Sequence, residues 1–181
     1  MTRINSDLDP KILADQHLMA EYNEFGMFFS SLRRSLKSKK GLPKIPDRFN
    51  LNAGHVTFFY NKLAFMEDRY SRLISELKNR EYNLDPDRVI FTPNEFPKYL
   101  YNEYKATDSD FWVIKDRIKT RLRQKPTFYR YNRQKIDVED FISKYYEVWM
   151  INVAIGDIHG CIDQLKSLWS DIFTRLQNDY P

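Results

Sequence analysis

The sequence predicts an all-α protein: one compact three-helix domain followed by a short C-terminal extension of α/β character. Two observations predict the helices, and a third sets the extension apart. Three segments repeat apolar residues every three or four positions, the period of one helix face. The stretches between them, "KGLPKIPDRF" and "DPDRVIFTPNEFPKYL", are proline-bearing and lack the alternation of a strand. Beyond residue 136 both the pattern and the sign of the charge change.

The first helix is drawn by Leu18, Tyr22, Phe25, Phe29, Leu32 and Leu36. Asp9-Pro10 is a start signal, a capping side chain followed by a proline suited to the first helical position. Lys39, Lys40 and Gly41 close the helix. The second helix follows the same rhythm through Val56, Phe59, Leu63, Met66, Tyr70, Leu73 and Leu77. The third is shorter, with Ile114, Ile118 and Leu122 as its apolar side, Asp108 as its cap and Pro126 as its stop. In the extension, "DVEDFISKYYEVW" reads as a short amphipathic helix. "MINVAIGDIHG" reads as a buried strand and tight turn, and "CIDQLKSLWSDIFTRL" as another helix. A strand without a partner cannot complete a sheet. The division is therefore a domain at 1–136 and an extension at 137–181, with no internal repeat.

At 181 residues, 42% hydrophobic and 15% aromatic, the chain can build a core. No run is long and apolar enough to span a membrane, and the start is too polar for a signal peptide. The lone Cys161 excludes an internal disulfide framework and fits a reducing compartment. The net charge of +4 hides an asymmetry. Residues 137–181 carry 3 basic and 8 acidic residues, leaving 26 basic and 17 acidic in residues 1–136. From Lys115 to Lys135 there are 9 basic residues against the single acid Asp116, interleaved with Phe128, Tyr129 and Tyr131. A run so nearly single-signed suits a phosphate backbone beside exposed bases better than a merely solvated face.

His17, Glu21 and Glu24 line up beside the apolar stripe of the first helix. By spacing alone they read as an exposed charged flank. A catalytic reading needs a nucleophile, and residues 1–136 hold no cysteine and no serine in a nucleophile-elbow sequence. The opening "MTRIN" offers another. Removal of the initiator methionine before a small residue leaves Thr2 first. Its α-amino group, with a reference pKa of about 7.7–8.0, is partly neutral at pH 7 and able to attack an electrophilic carbon. Arg3 lowers that pKa further and is suited to hold a phosphate. A terminal amine beside a helical glutamate is a nucleophile with a carboxylate assistant.

Four blocks, "MTRIN" at 1–5, "LADQHLMAEYNE" at 13–24, "AGHVTFFYNKL" at 53–63 and "KPTFYRYNRQKI" at 125–136, strongly resemble the pyrimidine-dimer DNA glycosylases of the bacteriophage endonuclease V type. The resemblance covers residues 1–136. It implies a bifunctional DNA-repair enzyme that excises ultraviolet-induced cyclobutane pyrimidine dimers and then nicks the strand as an abasic-site lyase. By that resemblance Thr2 is the imine-forming nucleophile and Glu24 the essential carboxylate. Arg3, Gln16, His17, Asn23, Arg117 and Arg121 fall at positions near the DNA. The aromatic segment 128–131, with Phe128, Tyr129, Arg130 and Tyr131, matches a stretch linked to damaged-DNA binding. The implied partner is double-stranded DNA containing dimers or abasic sites. The chain is expected to act as a monomer in the cytoplasm, a host cell's if it is viral, with no membrane, metal or cofactor. The rival readings are a damaged-DNA binder without turnover and, in the extension, a metal-dependent phosphatase fragment.

The match has departures. Asn23 and Met27 stand where the family usually has arginines, and "EFGMFF" lacks a common proline, which puts substrate preference in question more than chemistry. His55 reads as a packed or hydrogen-bonded residue at the start of the second helix rather than a catalytic one. In the extension, "GDIHG" resembles the first metal-binding block of calcineurin-like metallophosphatases, with Asp157 and His159 as ligands. The further blocks that such a dinuclear centre requires do not follow. Met150 before this block suggests the start of a neighbouring reading frame fused to the glycosylase.

Overall fold

The computed structural model describes residues 4–51, 54–85, 88, 90–92 and 95–147, the last without its side chain. Backbone proximity divides the chain into two compact units, residues 1–138 and 139–181. Among its described residues the first unit is all-α apart from one small hairpin. Its elements are α1 (Asp15–Lys37), α2 (His55–Phe58), α3 (Leu63–Asn79) and α4 (Asp108–Gln124), then β1 (Arg130–Tyr131) and β2 (Gln134–Lys135). At the junction, α5 (Val138–Ile142) runs into a π-helical turn over Ser143–Glu147. This falls within the amphipathic helix predicted there. The predicted strand and last helix, with Met150, Asp157, His159 and Cys161, lie outside the described residues.

The α1 stripe packs on α3, and the contact is aromatic. Tyr22 stacks on Tyr70 with ring centroids 5.8 Å apart, and Phe25 meets Tyr70 at 5.2 Å. Leu18, Phe25, Phe29 and Leu32 are fully buried there with Leu73 and Leu77. Ile114, Ile118 and Leu122 bury the inner side of α4 as its spacing predicts.

Three boundaries differ from the sequence reading. Asp9 does cap a helix, accepting from the Lys11 amide at 2.9 Å, but only a 3-10 turn over Pro10–Ile12. Leu13 and Ala14 are extended and fully buried, and α1 begins after them. The break is stabilised by Arg80. Its guanidinium donates to the carbonyls of Leu13 (2.7 Å), Lys11 (3.0 Å) and Pro10 (3.3 Å), satisfying oxygens that a continuing helix would have paired. The predicted second helix is two helices. Phe58, Phe59 and Tyr60 are all buried, which three consecutive residues of one helix cannot be on a single face. A turn after α2 buries them together, and Lys62 Nζ closes α2 by donating to the Phe58 carbonyl at 2.8 Å. For α4, the cap is Thr107 rather than Asp108. Thr107 and Asp110 form a reciprocal capping box.

The hairpin was not predicted. Its turn residues Asn132 and Arg133 both have positive φ, 48° and 66°, as a two-residue turn between twisted strands demands. Asparagine tolerates that region, but arginine gives no signal for it. The turn is fixed from α1: the buried Asp15 carboxylate accepts from the amides of Asn132 (3.2 Å) and Arg133 (2.7 Å) and from Arg80 (2.9 Å). Among the described residues no helix is long and apolar enough to cross a membrane.

Candidate nucleic-acid interface

The segment after the chain start is tied down. Ile4, Asn5 and Ser6 are essentially inaccessible to solvent. The Asn5 amide and side chain donate to Glu21 at 3.1 and 2.6 Å, and its side-chain oxygen accepts from Arg117. Glu21 in turn receives two bonds from Arg69, both at 2.9 Å, and Arg69 also reaches the Leu8 carbonyl. The row His17, Glu21, Glu24 is therefore no exposed flank. Glu21 is completely buried and Glu24 is 7% exposed. Spacing gave their common side correctly, but α3 and the N-terminal segment cover that side of the helix. Thr2 and Arg3 lie outside the described residues.

A cleft of about 540 Å³ opens between α1, α4 and the segment after α4. Gln16, His17, Asn23, Arg117, Arg121 and Tyr129 line it, with Asn5, Lys125 and Phe128. Six predicted residues thus come together from two distant stretches of chain. Arg117 and Arg121 stand one turn apart on α4. The His17 ring lies 4.7 Å from that of Tyr129, and burial, with the two arginines, pushes its pKa down to about 3. With the imidazole neutral, the positive charge of this part of the cleft rests on Arg117 and Arg121.

Gln16 holds this wall in place. Its Nε2 donates to the Phe128 carbonyl and its Oε1 accepts from the Arg130 amide, both at 2.9 Å. The clip leaves the Phe128 ring 54% exposed and braced edge-on against Tyr129 at 5.2 Å. Tyr131 is not at the cleft. Its ring faces the Arg80 guanidinium at 4.5 Å and its hydroxyl donates to the Lys11 carbonyl at 2.9 Å, a structural placement. Arg130 is exposed but does not line the cleft. Asn5 was not singled out by the sequence reading, and Lys125 and Phe128 entered it only as members of the basic-aromatic run and its 128–131 segment. Phe128 sat inside the basic-aromatic run, where nothing distinguished the outward ring from the buried ones.

A second groove, of about 610 Å³, adjoins the first at Asn23, which lines both. Glu24 borders it, with Met27, Ser30, Arg34, Thr57 and Arg88. Gly26 lies mid-helix, where glycine costs about 1 kcal/mol relative to alanine. The space its side chain leaves is used: a Cβ there would stand 3.0 Å from Arg88 Nη2. His55 is packed rather than open, 2% exposed and edge-on to Phe49 and Phe59, with Nδ1 3.2 Å from the Asn50 carbonyl. Burial dominates its pKa, pushing it down to about 4.

The two histidines make stability depend on pH. Both stay neutral in the folded protein at pH values where the unfolded chain, with a pKa near 6.5, takes up protons. Folding is therefore weakened as pH falls below about 6.5, by about 2 kcal/mol per histidine at pH 5. Urea unfolding midpoints between pH 7.5 and 5 should fall accordingly, and His17→Gln or His55→Gln should flatten the profile. A flat profile in the parent protein would contradict these assignments.

Residues 1–89 match the family model described as pyrimidine dimer DNA glycosylase. The matched stretch contains Thr2, Asn23 and Glu24, while α4 and the Phe128 segment lie beyond it.

Proposed function

We propose, from the premise that the chain belongs through residues 1–89 to the pyrimidine dimer DNA glycosylase family, that it excises dimers and then nicks the strand through an imine on its own terminal amine. As a member of that family it is a DNA-repair glycosylase whose partner is damaged DNA. The finer reading rests on one observation. The buried Glu24 borders one groove, and its neighbour Asn23 lines both that groove and the basic, aromatic cleft. A carboxylate and a phosphate-binding surface thus share one side of the protein.

In the proposed reaction the neutral Thr2 amine attacks C1′ of the damaged nucleotide. The bond to the base breaks with its electron pair leaving on the base nitrogen, and loss of the amine protons with ring opening gives the imine. Glu24 stabilises the positive charge that develops on the sugar, then accepts the C2′ proton as the C3′–O bond breaks and the 3′ phosphate departs. Arg117 and Arg121, with Arg3, hold backbone phosphates, and His17, Asn23, Tyr129 and Arg130 complete the DNA-facing surface. The Gln16 clip acts mainly by positioning Phe128 beside the unstacked site. Residues 1–136 would form the glycosylase domain and 137–181 an extension outside the reaction.

Sodium borohydride tests this reading. It should reduce the imine and trap the protein covalently on dimer-containing or abasic duplex, with the link mapped to Thr2. One extra residue before Thr2 would move the amine by up to about 3.6 Å and abolish trapping. Trapping on a lysine, or incision without trapping, would refute the terminal-amine mechanism. Tight lesion binding with no incision would favour the binder without turnover.

A further inference from the structure

The chain after α3 returns to α1 at Arg88, 65 residues from its contact with Asn23. The guanidinium carbon stands 4.3 Å from the centroid of the Tyr22 ring, and Nη1 donates to Asn23 Oδ1 at 3.2 Å. Nη2 sits over Gly26, where an added Cβ would stand 3.0 Å from it. Three neighbouring residues of α1 thus act as a seat: an aromatic face, an amide oxygen and a missing side chain. The amide oxygen of Asn23 is neutral, so this bond orients the guanidinium without cancelling its charge. An arginine has five N–H donors in a fixed fork, so this one keeps donors for a further acceptor. It lines the groove that Glu24 borders, with Arg34 and Ser30 on the same groove.

We propose that Arg88, seated on Tyr22, Asn23 and Gly26, is a preset binding site for a DNA backbone phosphate in the Glu24 groove. The duplex is then held in both grooves that meet at Asn23, by Arg117 and Arg121 in one and Arg88 in the other. The inference rests on the DNA-repair reading above and adds a residue to it. A guanidinium already packed on an aromatic ring and oriented by an amide has less freedom to lose on binding than one extended into solvent.

The test is binding of the full chain to a fluorescent duplex carrying a tetrahydrofuran abasic analogue, which cannot form an imine, across a range of salt concentrations. Arg117→Ala serves as the reference for one lost phosphate contact. Arg88→Gln should weaken binding several-fold and flatten the slope of log K against log salt by about 0.9. Arg88→Lys should restore most of the slope. Gly26→Ala, whose Cβ would stand 3.0 Å from Nη2 and ask that flexible tip to give by only a few tenths of an ångström, should leave the slope close to the parent's while thermal stability holds or rises. If Arg88→Gln lowers the melting temperature but leaves the slope unchanged, Arg88 merely packs on Tyr22 and the proposal is wrong. If the parent chain neither binds nor incises any lesion duplex, the DNA-repair reading fails and this site with it. Parent binding with an unaltered Arg88→Gln slope overturns the phosphate site alone.

Discussion

Replacing Glu24 with glutamine should lower dimer excision by roughly 100- to 1000-fold while lesion-duplex affinity stays nearly unchanged. Glutamine keeps the size and shape of a side chain that is 7% exposed, so the packing of α1 on α3 is preserved. What it loses, in the proposed reaction, is the negative charge that would meet a cationic sugar and the basicity that would accept a proton. An interaction made only in the transition state lowers turnover and leaves ground-state binding intact. Single-turnover excision on an ultraviolet-irradiated duplex, alongside equilibrium binding of the same duplex, separates the two. Excision above a tenth of the parent rate would remove Glu24 from the chemistry. A parallel collapse of binding would make it a structural carboxylate instead.

Arg69→Met should destabilise the first unit by about 3–5 kcal/mol, roughly 10–20 °C in melting temperature. Arg69 and Glu21 have no solvent exposure and meet through two bonds of 2.9 Å. Removing the cation leaves a buried carboxylate that, among the described residues, accepts hydrogen bonds from Asn5 alone. The double change Glu21→Leu/Arg69→Met should cost much less than the single one, because no charge is then stranded. A near-neutral Arg69→Met, or a double variant as unstable as the single, would show that this ion pair is not what closes the α1–α3 contact. Asn5 joins Glu21 to Arg117, so the single variant should also loosen the segment just after the chain start.

Much of this was legible in sequence because it is local. The stripes of α1, α3 and α4 need only the 3.6-residue period, and the basic-aromatic run is a matter of composition within about twenty residues. Three of the failures share a cause. The break before α1 depends on Arg80, and the hairpin turn depends on Asp15, each supplied from 65 or more residues away. The burial of Glu21 depends on Arg69, 48 residues on. Two positions that looked like lost cations, Asn23 and Met27, illustrate the same limit. A guanidinium does reach that surface, but from Arg88, and nothing near Asn23 in the sequence announces it.

The clasp between Asp15 and the Asn132–Arg133 turn also sets an order of events during synthesis. Asp15 reaches its amide partners across 118 residues, and Gln16 reaches the Arg130 amide across 114. At elongation rates of about 5–20 residues per second, roughly 6–24 s pass between the emergence of the two halves. Throughout that interval α1 has one wall of its cleft missing, whatever the state of the chain start. The cleft is thus among the last parts of the first unit to assemble, and a nascent chain on the ribosome carries α1 without the wall that completes it.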